Sequence, residues 1–114
     1  MKAYIKDIAY YLPAQVLTNE QIAAEFPEWS AEKVANKVGI TERHIAAPDE
    51  TATDMAYQAA ERLFAQGVDR ASIDFVLLCT QSGDYFLPSS ACILQDRLGL
   101  PETTFCVDIS MEVP

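Results

Sequence analysis

Few of the 114 residues carry side chains able to do covalent or acid–base chemistry at neutral pH. Cys79, Cys92 and Cys106 are the three cysteines, and His44 is the one histidine. A thiolate is a strong nucleophile, and the positive end of a helix favours it. Cys92 falls in the first turn of an expected helix and so has such a setting. The plainer reading is favoured, in which Cys92 is a small buried residue packing against a sheet. Cys79 and Cys106 sit within expected strands and read as core. With a single histidine, no histidine-based pair or triad assembles within one chain. Three cysteines cannot all pair, and their spacings contain no CxxC, so reduced thiols in a cytosolic protein are expected. One histidine and no compact ligand set argue against a metal. Asp54, Glu61, Asp69 and Asp74 read as helix caps and solvated helix faces.

The elements that must position these groups can be placed from local signals. Residues 3–11 mix β-formers with polar residues and end at Leu12-Pro13, which predicts a first strand. Thr18-Asn19-Glu20-Gln21 has the form of a capping box and opens a short helix to about Glu25, with Pro27 beyond it. Ser30 can cap a second short helix carrying Ala31, Val34, Ala35 and Val38, with Gly39 at its left-handed end. Thr51-x-x-Asp54 starts the longest helix, in which Met55, Ala56, Ala59, Ala60, Leu63 and Phe64 recur at helical spacing up to Gly67. Phe75-Val76-Leu77-Leu78-Cys79 reads as a strand buried on both faces of a parallel sheet. Pro88-Ser89-Ser90 opens a helix through Leu98, followed by Gly99 and Pro101. Thr104–Asp108 is the last strand. This order predicts an α/β fold of layered helices and a mostly parallel sheet. The arrangement reads as incomplete, because a parallel strand normally feeds a covering helix and six residues follow Asp108.

Composition narrows the partners. Eight basic residues against 17 acidic ones leave a net charge of −9. That balance argues against nucleic acid and anionic membrane, both of which need a basic face. No apolar run is long enough to span a bilayer. The first residues lack the uninterrupted apolar stretch of a secretory signal, which points to a cytoplasmic location. Half of the residues are hydrophobic and 22% are charged, a composition suited to one folded domain with a modest core.

Four segments carry a resemblance. They are Tyr11-Leu12-Pro13 with Thr18-Asn19, then Gly39-Ile40-Thr41-Glu42-Arg43-His44-Ile45-Ala46, then Phe86-Leu87-Pro88-Ser89-Ser90-Ala91-Cys92, and Phe105-Cys106-Val107-Asp108-Ile109-Ser110. In this order and spacing the chain resembles the N-terminal third of 3-oxoacyl-(acyl carrier protein) synthase III, a condensing enzyme of the thiolase-like fold. Residues 1–114 are then a partial N-terminal thiolase-like domain ending before the helix of the catalytic cysteine. The resemblance implies an acyltransferase of fatty acid biosynthesis. A cysteine thiolate takes an acyl group from acyl-CoA as a thioester. A His and an Asn then promote decarboxylation of malonyl-(acyl carrier protein), and the carbanion attacks the thioester. It implies no permanently bound cofactor, acyl carrier protein as partner of the full-length enzyme, and longer homodimers built from two similar halves.

The chain departs from that pattern at the nucleophile. Counting five residues on from Asp108, where the family has its cysteine, reaches Val113. The catalytic His and Asn belong to the second half of the family's chain, so no catalytic residue is assigned here and the chain alone is expected to be inactive. A frameshift or premature stop is favoured over a deliberately or naturally shortened product as the origin of the Met-Glu-Val-Pro end.

Coenzyme A contacts also differ. Many members place a tryptophan and an arginine just before the Gly-Ile-x-x-Arg-His segment. Here Lys37 stands at the arginine position, offering charge without a planar fork. Trp29 lies farther upstream than the usual tryptophan, and an ungapped match puts Lys33 there instead. Trp29 is open to two readings, cover for the core or a platform for adenine. Leu87 falls in the loop that in the family reaches the partner's acyl pocket across the dimer, and the Arg-His pair reads as structural.

Two other functions compete with an inactive piece of an acyltransferase. One is a non-catalytic interaction module that self-associates through the Thr104–Asp108 strand. The other is a free-standing CoA-binding domain using Lys37.

Overall fold

The computed structural model describes residues 1–110. They form two compact units, one of Leu12–Asp49 and one of Met1–Tyr11 with the chain from Glu50 onward.

The Leu12–Asp49 unit holds strand β1 (Gln15–Thr18), helix α1 (Asn19–Glu25), helix α2 (Ala31–Val38) and strand β2 (Glu42–Ile45). Both helices start where capping chemistry places them. Thr18 Oγ1 accepts from the Gln21 N–H, and the Gln21 side chain accepts from the Thr18 N–H in return. Ser30 Oγ accepts from the Lys33 N–H at the start of α2. Gly39 ends α2 at φ 73°, a left-handed conformation that a Cβ would disfavour. β1 and β2 are antiparallel, with Val16 opposite His44 and Leu17 opposite Arg43. Neither strand was expected. Each has four residues and lies within a stretch whose turn and cap signals dominate its pattern.

The second unit holds helix α3 (Ala52–Ala65), a 3-10 turn at Arg70–Ser72, strand β3 (Phe75–Cys79), helix α4 (Ser90–Arg97) and strand β4 (Phe105–Ile109). Thr51 and Asp54 cap α3 reciprocally. β3 and β4 are parallel, with Phe75 opposite Phe105, Leu77 opposite Val107 and Cys79 opposite Ile109. The core is Leu94, Leu98 and Leu100, against which Ala56, Tyr57, Ala60, Phe64, Ile73 and Val76 pack. α3 and α4 therefore cover one face of the parallel pair.

Three expectations change. Residues 3–11 form no strand. A strand needs a neighbour for its ladder, and this segment pairs with none of the described strands, leaving Tyr4 and Ile8 83% and 73% exposed. β3 is not buried on both faces, because Phe75, Leu77, Phe105 and Ile109 point away from the helices and stay exposed. Cys79 shares that bare face, so it is exposed and not core.

Candidate functional site

The four segments singled out in the sequence meet two by two. In the Leu12–Asp49 unit, Asn19 is buried, and its side chain joins α1 to the Gly39–Ala46 segment. Its Nδ2 donates to Ile40 O at 2.8 Å, its Oδ1 accepts from Arg43 Nη1 at 3.2 Å, and its backbone N–H donates to Thr41 O. His44 Nδ1 lies 2.6 Å from Pro13 O. A carbonyl oxygen can only accept, so Nδ1 carries the proton. The Arg-His pair is thus occupied within this unit, holding β2 to the chain on either side of β1.

In the other unit, Asp108 on β4 grips the N-terminus of α4. Its Oδ2 accepts from the Ser90 N–H and its Oδ1 from the Ala91 N–H, both at 2.7 Å. Ser89 Oγ accepts from the Cys92 N–H. These three bonds satisfy donors that a helix leaves unpaired at its start. The positive end of α4 therefore faces a carboxylate, and Cys92 is not the anion it serves. Cys92 is exposed instead of packed on the sheet, because α4 buries its Ala91–Leu94–Leu98 side and Cys92 lies off that side. Cys106 is half-buried and donates to Gln95 Oε1 at 3.3 Å. Burial pushes its thiol up, and the neighbouring Cys92 thiol adds to that.

A hollow of about 460 Å³ opens beside this clamp, lined by Thr80, Gln81, Gly83, Tyr85, Phe86, Asp108 and Ser110. It lies at the carboxyl ends of the two parallel strands, where open α/β sheets place ligands. Asp84 bounds the same loop. Its N–H donates to Ser90 Oγ, and its Oδ2 accepts from Thr51 Oγ1. The Val113 position lies outside the described residues.

Trp29 is half-buried after α1 and lines an open apolar hollow of about 390 Å³ with Ile22, Phe26, Val34, Val38 and Arg43. Lys33 Nζ sits 4.5 Å from the ring centroid and Lys37 Nζ 6.0 Å from it. Both lysines are exposed, so indole and ammonium groups form one surface cluster. Trp29 lies just before the Ser30 cap and Lys33 in the first turn of α2, which brings the ammonium back over the ring. Leu87 is 79% exposed in the loop before α4. The carboxylates act as expected of caps and faces. Asp54 closes the α3 capping box and meets Arg97 at 2.7 Å, Glu61 pairs with Arg70 through both oxygens, and Asp69 caps the 3-10 turn. Among the described residues, no group of three potential metal ligands converges.

A parallel pair covered by two helices, with an aspartate of the second strand clamped onto the crossover helix, is part of a thiolase-like α/β fold. In sequence, the chain is 37% identical over 102 residues to the beta-ketoacyl-(acyl carrier protein) synthase III of Caulobacter vibrioides, covering 89% of this chain and 31% of that one. A crystal structure of a 3-oxoacyl-(acyl carrier protein) synthase III matches at a TM-score of 0.84 and 57% identity, over 92% of this chain and 32% of that chain. The synthase III of Thermus thermophilus matches at 0.79 and 31% identity, over 91% and 32%. No protein-family model matches. The chain thus spans about a third of the length of its relatives and corresponds to the N-terminal third of 3-oxoacyl-(acyl carrier protein) synthase III.

Proposed function

We propose that the chain supplies the N-terminal part of a beta-ketoacyl-(acyl carrier protein) synthase III-type acyltransferase of fatty acid biosynthesis. That enzyme condenses acyl-CoA with malonyl-(acyl carrier protein) in the cytoplasm. The observation that carries the reading is the pairwise meeting of the four segments, Asn19 with Arg43 and Asp108 with Ser90 and Ala91. The residues of these segments have a common task here, which is to tie together the framework of the unit in which each pair lies.

Within this reading, Trp29 and Lys37 contact coenzyme A, the indole against adenine and the ammonium against phosphate. Their closeness supports it. Leu87 belongs to the acyl pocket of a dimer partner, and its exposure is compatible with that role. No residue of this chain acts as the nucleophile, since Val113 stands at the position the family gives to cysteine. Copies associate through the last strand.

Trp29 is the only tryptophan, so fluorescence excited at the red edge of indole absorption, where tyrosine does not absorb, reports on it alone. Titration with CoA is expected to quench that emission, with weaker binding in Lys37→Glu. An unchanged spectrum at millimolar CoA would remove the cofactor role. Incubation with radiolabelled acetyl-CoA is expected to leave the protein unlabelled, and stoichiometric label on Cys92 would overturn the assignment of no nucleophile.

A further inference from the structure

We propose that Cys92 and Cys106 form an oxidisable pair that closes into a disulfide and crosslinks α4 to β4. Two contacts bracket the pair. Asp108 and Cys106 stand two apart on β4 and so share its helix-facing side. Asp108 holds the Ala91 N–H at 2.7 Å, and Cys106 Sγ reaches Gln95 Oε1 at 3.3 Å. Cys92 follows Ala91 and precedes Gln95 by one helical turn, so it flanks the stretch of α4 that lies on Cys106. Cys92 adds to the upward push on the Cys106 thiol, in keeping with that placement.

The two sulfurs differ in access, which assigns their roles. Cys92 is exposed and meets an oxidant first, while Cys106 is half-buried beneath α4. With hydrogen peroxide as oxidant, the Cys92 sulfur attacks the peroxide O–O bond. It becomes a sulfenic acid, and water leaves. The Cys106 thiolate then attacks the Cys92 sulfur, the S–S bond forms, and the S–O bond breaks. The departing hydroxide takes up the proton lost from Cys106, so two thiols and one peroxide become one disulfide and two waters. Cys79 stands on the opposite, bare face of the sheet and has no part in this step.

The test uses the 114-residue protein carrying Cys79→Ser, fully reduced, exposed to hydrogen peroxide and quenched with N-ethylmaleimide. The expected product is a monomer lighter by two hydrogens and carrying no maleimide. Trypsin cuts after Arg97, between the two cysteines, so the two pieces stay joined until dithiothreitol is added. The linked pair is expected to vanish in Cys92→Ser and in Cys106→Ser. Retention of both maleimides would overturn the proposal. So would conversion of Cys92 to sulfinic acid with Cys106 still alkylated, or a linkage found only between two chains.

Discussion

Asp108 Oδ2 accepts the Ser90 N–H at 2.7 Å, from a strand residue to the first residue of a helix 18 positions earlier. The second oxygen takes the Ala91 N–H at the same distance. One carboxylate thus closes the β3–α4–β4 crossover. It satisfies two helix donors, places negative charge at the positive end of α4, and fixes where β4 runs beneath the helix.

Removing that carboxylate should loosen the whole unit. Ser90 and Ala91 are buried, so Asp108→Ala takes from two N–H groups the acceptor they now share. A loss of about 2–3 kcal/mol is expected from charge-assisted bonds of this kind. Asp108→Asn keeps one carbonyl acceptor and should lose roughly half as much. Urea denaturation of the three proteins measures the order, and equal stability of Asp108→Ala and the parent would refute it.

Asn19 has a comparable task in the Leu12–Asp49 unit. Asn19→Ala strands the Ile40 carbonyl and the Arg43 guanidinium, both now bonded to its side chain. The expected cost is about 1–3 kcal/mol. Asn19→Asp should recover part of it through Arg43 while still losing the donor to Ile40. Amide exchange across Gln15–Thr18 and Glu42–Ile45 would show whether the antiparallel pair opens first.

Much of this was legible in the sequence because its signals are local. The caps at Thr18, Ser30 and Thr51 and the left-handed Gly39 each need only a few neighbouring residues, and all are where their types predict. The motif segments were equally visible, and the Arg-His pair read as structural, but the partners that each segment holds were not. The bonds from Asn19 to Arg43 and from Asp108 to Ser90 span 24 and 18 positions, and no short pattern encodes them. The strand expected at residues 3–11 failed for a related reason, since β-propensity describes one side of a ladder and cannot supply its partner. Cys92 was misplaced because its helical face was not resolved by so short a helix.

The start of α3 should carry a measurable acid dependence. The Thr51 N–H, and after it Arg97, hold the Asp54 carboxyl below its ordinary value of 3.8. A depressed acid contributes stability that is whole above its unfolded value and is lost as pH falls through the folded one. The advantage of the parent over Asp54→Asn should therefore be present at neutral pH and shrink as the pH falls below the ordinary carboxylate range. Thr51→Ala should cost about 1 kcal/mol at neutral pH from the lost cap. Thermal melts across this range measure both, and a gap between parent and Asp54→Asn that widens on acidification would contradict the sign.

The bare face of the parallel pair leads to the last expectation. Phe75 and Phe105 lie opposite each other with ring centroids 5.3 Å apart, and Leu77 and Ile109 extend the same apolar surface. Phe75, Leu77 and Phe105 are each more than half exposed, on a side of the sheet that α3 and α4 leave uncovered. A contiguous apolar surface of this sort associates when a complementary one is at hand, and a second copy always offers one. The sedimentation coefficient should rise with protein concentration. A charge placed in the middle of the patch, as in Leu77→Asp, must be desolvated on association and should shift that rise to higher concentration. Phe105→Asp should do the same from the neighbouring strand, whereas Glu32→Lys on α2 should not. A coefficient independent of concentration in the parent would mean that this face stays in water, and with it would go the case for association through β4.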